Sequence, residues 1–298
     1  MGRLIVNADD FGLTTGVNRA IAELHRAGLL TSTTLMARAG ATEEAIELAR
    51  SLPSLGVGCH VVLVDGQAVL PPRKGIAGLV NPGDGRFRPT LAGFLDWLYR
   101  GSLARWPFRS IAAGEIEAEA AAQIAVLQSR GVRLTHIDTH KHTHMFPAVL
   151  RPVLRAARAA GIRTVRNPFE PAWSLNATPR APWLRRTEVR LLRLLEPAFQ
   201  RIVAEEGFLT TAGAVGVLAT GTLDAATVGS LLRAMPPGSW ELVTHPGYND
   251  SDLAHARTRL LASRETEREA LGTLKRFPGI ELISYAQLDP EAVLTRAH

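Results

Sequence analysis

Short apolar runs recur along the chain at spacings typical of buried β-strands. The first run, Leu4–Ala8, leads into Asp9 and Asp10 and then into an amphipathic stretch that begins at Val17. This order predicts a strand, an acidic loop and a helix. Similar apolar runs follow at Ser32–Met36, Val57–Val64, Leu134–Ile137, Ile162–Val165, Val215–Ala219, Trp240–Val243 and Ile280–Ile283. The pattern therefore predicts about eight strands.

Amphipathic stretches between these runs predict helices. The best candidates are Thr42–Ser51, Ala113–Arg130, Pro147–Ala160, Ala225–Ala234 and Ser263–Arg276. Two of them are followed by a glycine, Gly131 and Gly161, which is a common helix stop. Strands that alternate with helices predict a mostly parallel sheet, and in such α/β folds the chemistry gathers in the loops at the carboxyl ends of the strands.

The length of 298 residues allows two ordinary domains or one barrel-sized domain. We favour a single domain over residues 1–298 because no linker or internal repeat interrupts the alternation. Two stretches resemble inserts: one near residues 65–110, rich in glycine and proline, and one near residues 168–200, rich in arginine, tryptophan and leucine.

Composition narrows the cellular setting. The single cysteine, Cys59, excludes an intramolecular disulfide and a four-cysteine zinc site, and we expect it to be a small buried residue. The first residues contain too few apolar positions before Asp9 for a signal-peptide core. No run of 18 apolar residues occurs, so no membrane span is predicted. We therefore expect a cytoplasmic protein.

The net charge of +6 arises almost wholly from arginine. A solvated basic surface explains this charge, and an anionic partner such as phospholipid head groups is the alternative. Nucleic acid is not expected as a partner, since no nucleic-acid-binding motif accompanies the charge.

Metal-ligating side chains follow several predicted strands. They are Asp9 and Asp10, His60, the cluster His136, Asp138, His140, His142 and His144, and His245. On an extended segment the cluster would share one face, with neighbouring members separated by roughly 7 Å. One ion could therefore take one or two of them and would need ligands from other strands. Imidazole with carboxylate suits Zn, Mn, Co or Fe(II).

Structural roles compete with a metal site at each position taken alone. Asp9 or Asp10 could cap the helix that follows, and His60 could be a hydrogen-bonded core histidine. The histidine cluster is harder to explain in this way, because burying several imidazoles without partners is costly.

Four ordered motifs resemble the YdjC-like carbohydrate deacetylases: Asn7–Gly12, Gly58–His60, Thr135–His144 and His245–Gly247. The resemblance covers nearly the whole chain and implies a distorted (β/α) barrel related to NodB-type polysaccharide deacetylases. It also implies one divalent ion (Zn, Mg, Mn or Co) held by Asp10, His60 and His140. Asp9 would then be the general base and His245 the general acid.

The remaining polar residues of these segments are expected to orient the ligands or contact substrate: His136, Asp138, His142, His144 and Arg166. One departure from the family pattern is Lys141, where members often carry histidine. On a strand this side chain would face away from the site, so the proposed ligands are unaffected.

The segment Val61–Pro72 is similar to the hopanoid-biosynthesis branch of the family, usually called HpnK. This similarity implies an N-acetylglucosaminyl hopanoid glycolipid as substrate. A soluble chitooligosaccharide of the diacetylchitobiose type is the alternative substrate, and a non-enzymatic histidine-rich metal-binding protein is the alternative function. A catalytically dead sugar-binding module is disfavoured because every proposed catalytic position is filled.

Aromatic and aliphatic residues interleave with arginines in both inserts. In the first they are Trp97, Tyr99, Trp106 and Phe108 with Arg100, Arg105 and Arg109; in the second they are Trp183, Leu184, Leu191, Leu192, Leu194 and Leu195 with Arg185, Arg186, Arg190 and Arg193. Amphipathic lids over the barrel explain this pattern. Peripheral contact with the inner membrane is the alternative, and a homo-oligomer is compatible with either.

Overall fold

A curled parallel sheet surrounded by helices forms the centre of the protein. We describe it from a computed structural model that covers residues 2–103, 107–178 and 180–288, with side chains outside residues 100–111. Seven strands belong to the sheet: β1 (Gly2–Phe11), β2 (Ser32–Leu35), β3 (Gly56–Val61), β4 (Leu134–Thr139), β5 (Ala214–Val215), β6 (Gly238–Thr244) and β7 (Glu281–Leu282).

The strand order is β4-β3-β2-β1-β6-β5, and β7 pairs with the start of β1. All of these strands pair in parallel. Their carboxyl ends therefore meet at one rim of the sheet. The curled half-barrel confirms the predicted α/β class and agrees with a distorted (β/α) barrel.

Helices cover the sheet and connect its strands. They are α1 (Thr15–Arg26), α2 (Thr42–Ser51), α3 (Leu91–Leu103), α4 (Pro107–Ser129), α5 (Pro147–Ala159), α6 (Ala172–Ala177), α7 (Trp183–Leu192), α8 (Glu196–Glu205), α9 (Ala225–Ala234), α10 (Ser251–His255) and α11 (Ser263–Ala270). The predicted bounds of α2 and α9 are confirmed. The last predicted helix is split, since its second half, Leu271–Arg276, is a 3-10 helix.

Several predicted strands are wrong or too long, and the one predicted as Val57–Val64 ends at Val61. The stretch Ile162–Val165 makes only single bridges, from Val165 to β4 and from Thr164 to Leu209. It therefore lies beside the open edge of the sheet but does not form a strand. The strand predicted to reach Ala219 ends at Val215 because Gly216 is left-handed, with φ of 91°. A Cβ on Gly216 would lie 2.8 Å from the carbonyl oxygen of Val243, which explains the glycine.

Both faces of the sheet are covered, as expected for parallel strands. Residues 4–11 of β1 are all buried, and Cys59 is buried on β3 as predicted, where burial raises the pKa of its thiol. No helix in the described ranges is long and apolar enough to span a bilayer.

The two inserts differ in structure. The first contains turns held by single antiparallel pairs and then α3, on which Trp97 packs inward against Phe94 beneath the Arg88 guanidinium. Trp106 and Arg105 lie outside the described residues, as do the side chains of Arg100, Phe108 and Arg109. The second insert forms α6, α7, the 3-10 helix Arg193–Leu195 and the first half of α8.

Candidate metal centre and proton-transfer groups

Asp9 and Asp10 reach the same site although they are adjacent on β1. Neighbouring side chains of a regular strand point to opposite faces. Here Asp10 is left-handed, with φ of 65°, and the register with β2 shifts between Ala8 and Phe11. Aspartate tolerates this conformation better than most residues. The helix-capping alternative is wrong, because Thr14 is the N-cap of α1.

Three of the predicted ligands form a compact triangle. Asp10 Oδ1 lies 3.7 Å from His60 Nε2 and 3.5 Å from His140 Nδ1, and the two histidine nitrogens are 3.3 Å apart. A tetrahedral ion with bonds of roughly 2.0–2.1 Å separates its ligand atoms by about 3.3–3.4 Å. The residues present therefore fit a small divalent cation, with at least one coordination position left over.

Asp138 holds His60 in the orientation that such a site needs. Its Oδ1 accepts a hydrogen bond from His60 Nδ1 at 2.7 Å, which leaves Nε2 free to face Asp10 and His140. Burial alone would lower the pKa of His60, but the carboxylates of Asp138, Asp9 and Asp10 outweigh it and raise the pKa to about 9. Asp138 thus orients His60, rather than His140 or His245.

Arg264, which the sequence analysis did not select, orients Asp10. Its Nη2 donates to Asp10 Oδ2 at 2.5 Å, so the other carboxylate oxygen is the one that faces the histidines. Burial would raise the pKa of Asp10, yet Arg264 and His140 hold it well below its usual range. A Cβ on Gly247 would lie 3.0 Å from Arg264 Cδ, so the glycine after His245-Pro246 makes room for this arginine.

Arg166 lies in the middle of three buried carboxylates. It donates to both oxygens of Asp9, at 2.6 and 2.9 Å, to Asp138 and to Glu241. A second set of candidate ligands, Asp9 with His60 and Asp138, lies here, but the guanidinium already binds both of its carboxylates. Burial raises the pKa of Asp9, and Arg166 more than offsets that effect, so the pKa is lowered and Asp9 stays ionised.

His245 lies between two carboxylates. Its Nε2 is 3.8 Å from Asp9 Oδ2, and its Nδ1 is 3.6 Å from Glu267 Oε2, which also accepts from the His245 backbone N–H at 2.6 Å. Burial would lower the pKa of His245, but Glu267, Asp9 and Asp10 raise it above its ordinary value. Glu267 lies on α11 and was also missed by the sequence analysis.

The histidine cluster is not extended as predicted. β4 ends at Thr139, and His140–Met145 forms a 3-10 turn in which Lys141 and His142 are left-handed, with φ of 56° and 52°. Lys141 is turned away from the ligands and pairs with Asp65 of the first insert at 2.8 Å.

The other cluster histidines have separate surroundings. The His144 ring forms hydrogen bonds with Thr139 Oγ1 and with the Arg166 carbonyl, which hold the turn in place. Burial lowers the pKa of His144 to about 4. His136 stacks on Tyr285 with ring centroids 3.9 Å apart, and burial lowers its pKa to about 3. His142 is half-buried near Asp9, with a pKa lowered to about 3 by burial and Arg166. These three imidazoles are therefore neutral at physiological pH.

A cleft of about 490 Å³ is lined mainly by residues 80–89 of the first insert. Arg86, Phe87 and Arg257 are among the residues that line it. Arg257 contacts Asp65, which in turn binds Lys141 next to His140. The cleft is thus linked to the candidate site through two ion pairs.

Comparisons with known proteins agree with this fold. Carbohydrate deacetylases from Brevibacillus brevis and Oceanobacillus iheyensis are 33% and 30% identical, over 96% and 92% of this chain and 99% and 97% of their own. The structure of a candidate cellobiose-phosphate cleavage protein from Enterococcus faecalis matches with a TM-score of 0.74 at 24% identity, covering 96% of this chain and 98% of that one. The model of the YdjC-like protein family matches residues 3–275. The chain therefore belongs to the YdjC-like family.

Proposed function

We propose that this protein is a metal-dependent hydrolase that removes the acetyl group from an N-acetylglucosaminyl sugar. One observation carries the proposal: the triangle of Asp10, His60 and His140 lies directly beside an ionised carboxylate, Asp9, and a histidine with a raised pKa, His245. Amide hydrolysis needs an electrophile activator, a base for water and an acid for the amine. The names of the relatives, carbohydrate deacetylases, support the same reaction.

Asp10, His60 and His140 are the residues that we assign to the ion. A divalent ion supplies Lewis acidity, which lowers the pKa of a water molecule from about 15.7 to about 7 and polarises the acetyl carbonyl. Asp138 and Arg264 keep the ligand atoms in place by binding the opposite sides of His60 and Asp10.

Asp9 and His245 are assigned to proton transfer. Asp9 accepts the proton of the attacking water, held in position by its two bonds to Arg166. His245 then gives its Nε2 proton to the departing amine as the C–N bond breaks, which yields acetate and a free amine. The 3.8 Å between His245 Nε2 and Asp9 Oδ2 offers a short route by which His245 regains a proton from Asp9.

For the substrate we propose an N-acetylglucosaminyl hopanoid glycolipid, on the similarity of Val61–Pro72 to the hopanoid branch. The cleft lined by Arg86, Phe87 and Arg257 is the space that we assign to the part of the substrate beyond the acetylated sugar. A soluble diacetylchitobiose would use the same reaction and the same five catalytic and ligand residues.

Acetate release tests the proposal directly. Protein reconstituted with Zn, Mg, Mn or Co is incubated with the glycolipid and with diacetylchitobiose. Acetate from the glycolipid alone supports the hopanoid assignment, and acetate from chitobiose without lipid assigns a soluble substrate. Absence of acetate from both, together with several bound ions per chain by elemental analysis, would instead indicate a metal-binding protein.

Glu267→Gln is expected to narrow the pH range of activity. The Glu267 carboxylate raises the pKa of His245, so removing its charge lowers that pKa. A general acid works only below its pKa. The alkaline limb of the kcat profile should therefore move to lower pH, while the acidic limb stays in place. A limb that does not move would show that His245 is not the acid whose titration limits the rate.

A further inference from the structure

Helix α7 and the 3-10 helix that follows it, Arg193–Leu195, carry an exposed apolar stripe. Trp183, Leu184, Leu191 and Leu194, which we call the α7 stripe, are 72%, 64%, 62% and 75% exposed. At 3.6 residues per turn the three members on α7 fall within an arc of about 100°. Large apolar side chains grouped in this way usually mark a contact surface.

Positive charge surrounds the α7 stripe. Residues 180–201 include six arginines and two glutamates, which gives this segment a net charge of +4. The net charge of the whole chain is +6. Arg190 is exposed, and Arg201 is exposed but pairs with Glu205. Arg185 and Arg186 turn inward and donate to backbone carbonyls, so they do not face head groups as the membrane-contact alternative would require. They anchor α7 so that its apolar face stays outward.

The stripe lies at the catalytic rim of the sheet. Arg185 donates to the carbonyls of Val217 and Leu218, in the loop that follows the carboxyl end of β5. The same loop reaches the candidate site, since the Gly221 N–H donates to Glu267 and Glu267 contacts His245. A surface bound to α7 would therefore lie close to the entrance of the site.

We propose that the α7 stripe docks this protein on the surface of an anionic lipid bilayer. Tryptophan and leucine on one face with flanking arginines suit the bilayer interface, where apolar groups enter the acyl boundary and cations meet head groups. A second copy of the chain fits less well, because a symmetric contact through α7 would bring two arginine-rich segments together. The docking itself does not depend on the proposed function. It rests on that proposal only for which lipid-linked sugar the docked protein would meet.

Vesicle sedimentation of the full chain tests this docking. The parent protein should sediment with vesicles of phosphatidylcholine mixed with phosphatidylglycerol, more weakly with phosphatidylcholine alone, and less as sodium chloride is raised. Leu191→Ser/Leu194→Ser should weaken binding at least tenfold. Leu261→Ser, which alters an exposed leucine outside the stripe, should bind as the parent does.

Either of two results would overturn the docking: no sedimentation of the parent with anionic vesicles, or equal binding by the double variant. A dimer that the double variant dissociates, without vesicle binding, would assign the stripe to a second copy. Acetate release from diacetylchitobiose is measured in parallel. Absence of acetate from this substrate and from the glycolipid in all proteins, with vesicle binding intact, would reject the proposed function alone.

Discussion

Replacing Asp9 with asparagine is expected to lower kcat by about 10²–10⁴-fold, the usual contribution of a general base, while one divalent ion remains bound per chain. Asparagine keeps the shape of Asp9 but cannot take a proton from water. The ligand atoms of Asp10, His60 and His140 are separate from it, so metal affinity should stay close to the parent value. Acetate release and calorimetric metal titration measure the two effects.

Asp10→Asn provides the matched control, since it makes the same chemical change one residue later. In Asp10→Asn, metal affinity should fall by about 10–100-fold or more. Removing a residue that only supports a metal ligand typically costs this much, and Asp10 is a proposed ligand itself. Loss of the ion in Asp9→Asn would make Asp9 a ligand. Retention of more than a tenth of the parent activity would remove Asp9 from the base role. Thermal denaturation of both variants checks that the fold is kept.

The position of the site was predictable because it follows from the order of elements. Apolar runs that end just before Asp9 and shortly before His140 identify strand ends, and parallel strands bring such ends to one rim. His60 lies within the predicted run Val57–Val64, whereas β3 ends at Val61. The structure places these side chains there, although their binding and catalytic roles remain proposals. The predicted bounds of α2 and α9 hold for a similar reason, since their apolar spacing is regular.

Local backbone geometry and distant partners were not predictable. Period-two alternation would place Asp9 and Asp10 on opposite faces, and only the left-handed Asp10 brings them together. The same alternation would extend the histidine cluster, which the left-handed Lys141 and His142 fold into a turn.

Arg264 and Glu267 act across the fold on residues far away in sequence. Arg264 binds Asp10, 254 positions earlier. Arg264 and Glu267 lie on α11, whose sequence is typical of an ordinary charged surface helix. The one local signal is Gly247, whose missing side chain makes room for Arg264, and it has that meaning only once the fold is known.

Arg166→Gln is expected to cost about 3–5 kcal/mol of unfolding free energy, the usual penalty for removing one partner of a buried ionic group. Arg166 is fully buried and is the cation shared by Asp9, Asp138 and Glu241. Without it three carboxylates repel one another in a site closed to solvent. Glutamine can replace at most part of the five donors of a guanidinium. Urea denaturation followed by circular dichroism measures the loss.

Arg130→Gln is the control, because Arg130 pairs with Glu43 on the surface with side chains 49% and 68% exposed. Such a solvent-exposed pair contributes little to stability. Arg166→Lys keeps the charge but loses the planar fork, so it should be intermediate in stability and should remain measurable if Arg166→Gln is insoluble. Its activity should also fall, since lysine cannot bind both oxygens of Asp9 while reaching Asp138. A loss below 1 kcal/mol in Arg166→Gln, or parent stability and activity in Arg166→Lys, would show that the carboxylates do not depend on this arginine. The same cation would then have no part in keeping Asp9 ionised for catalysis.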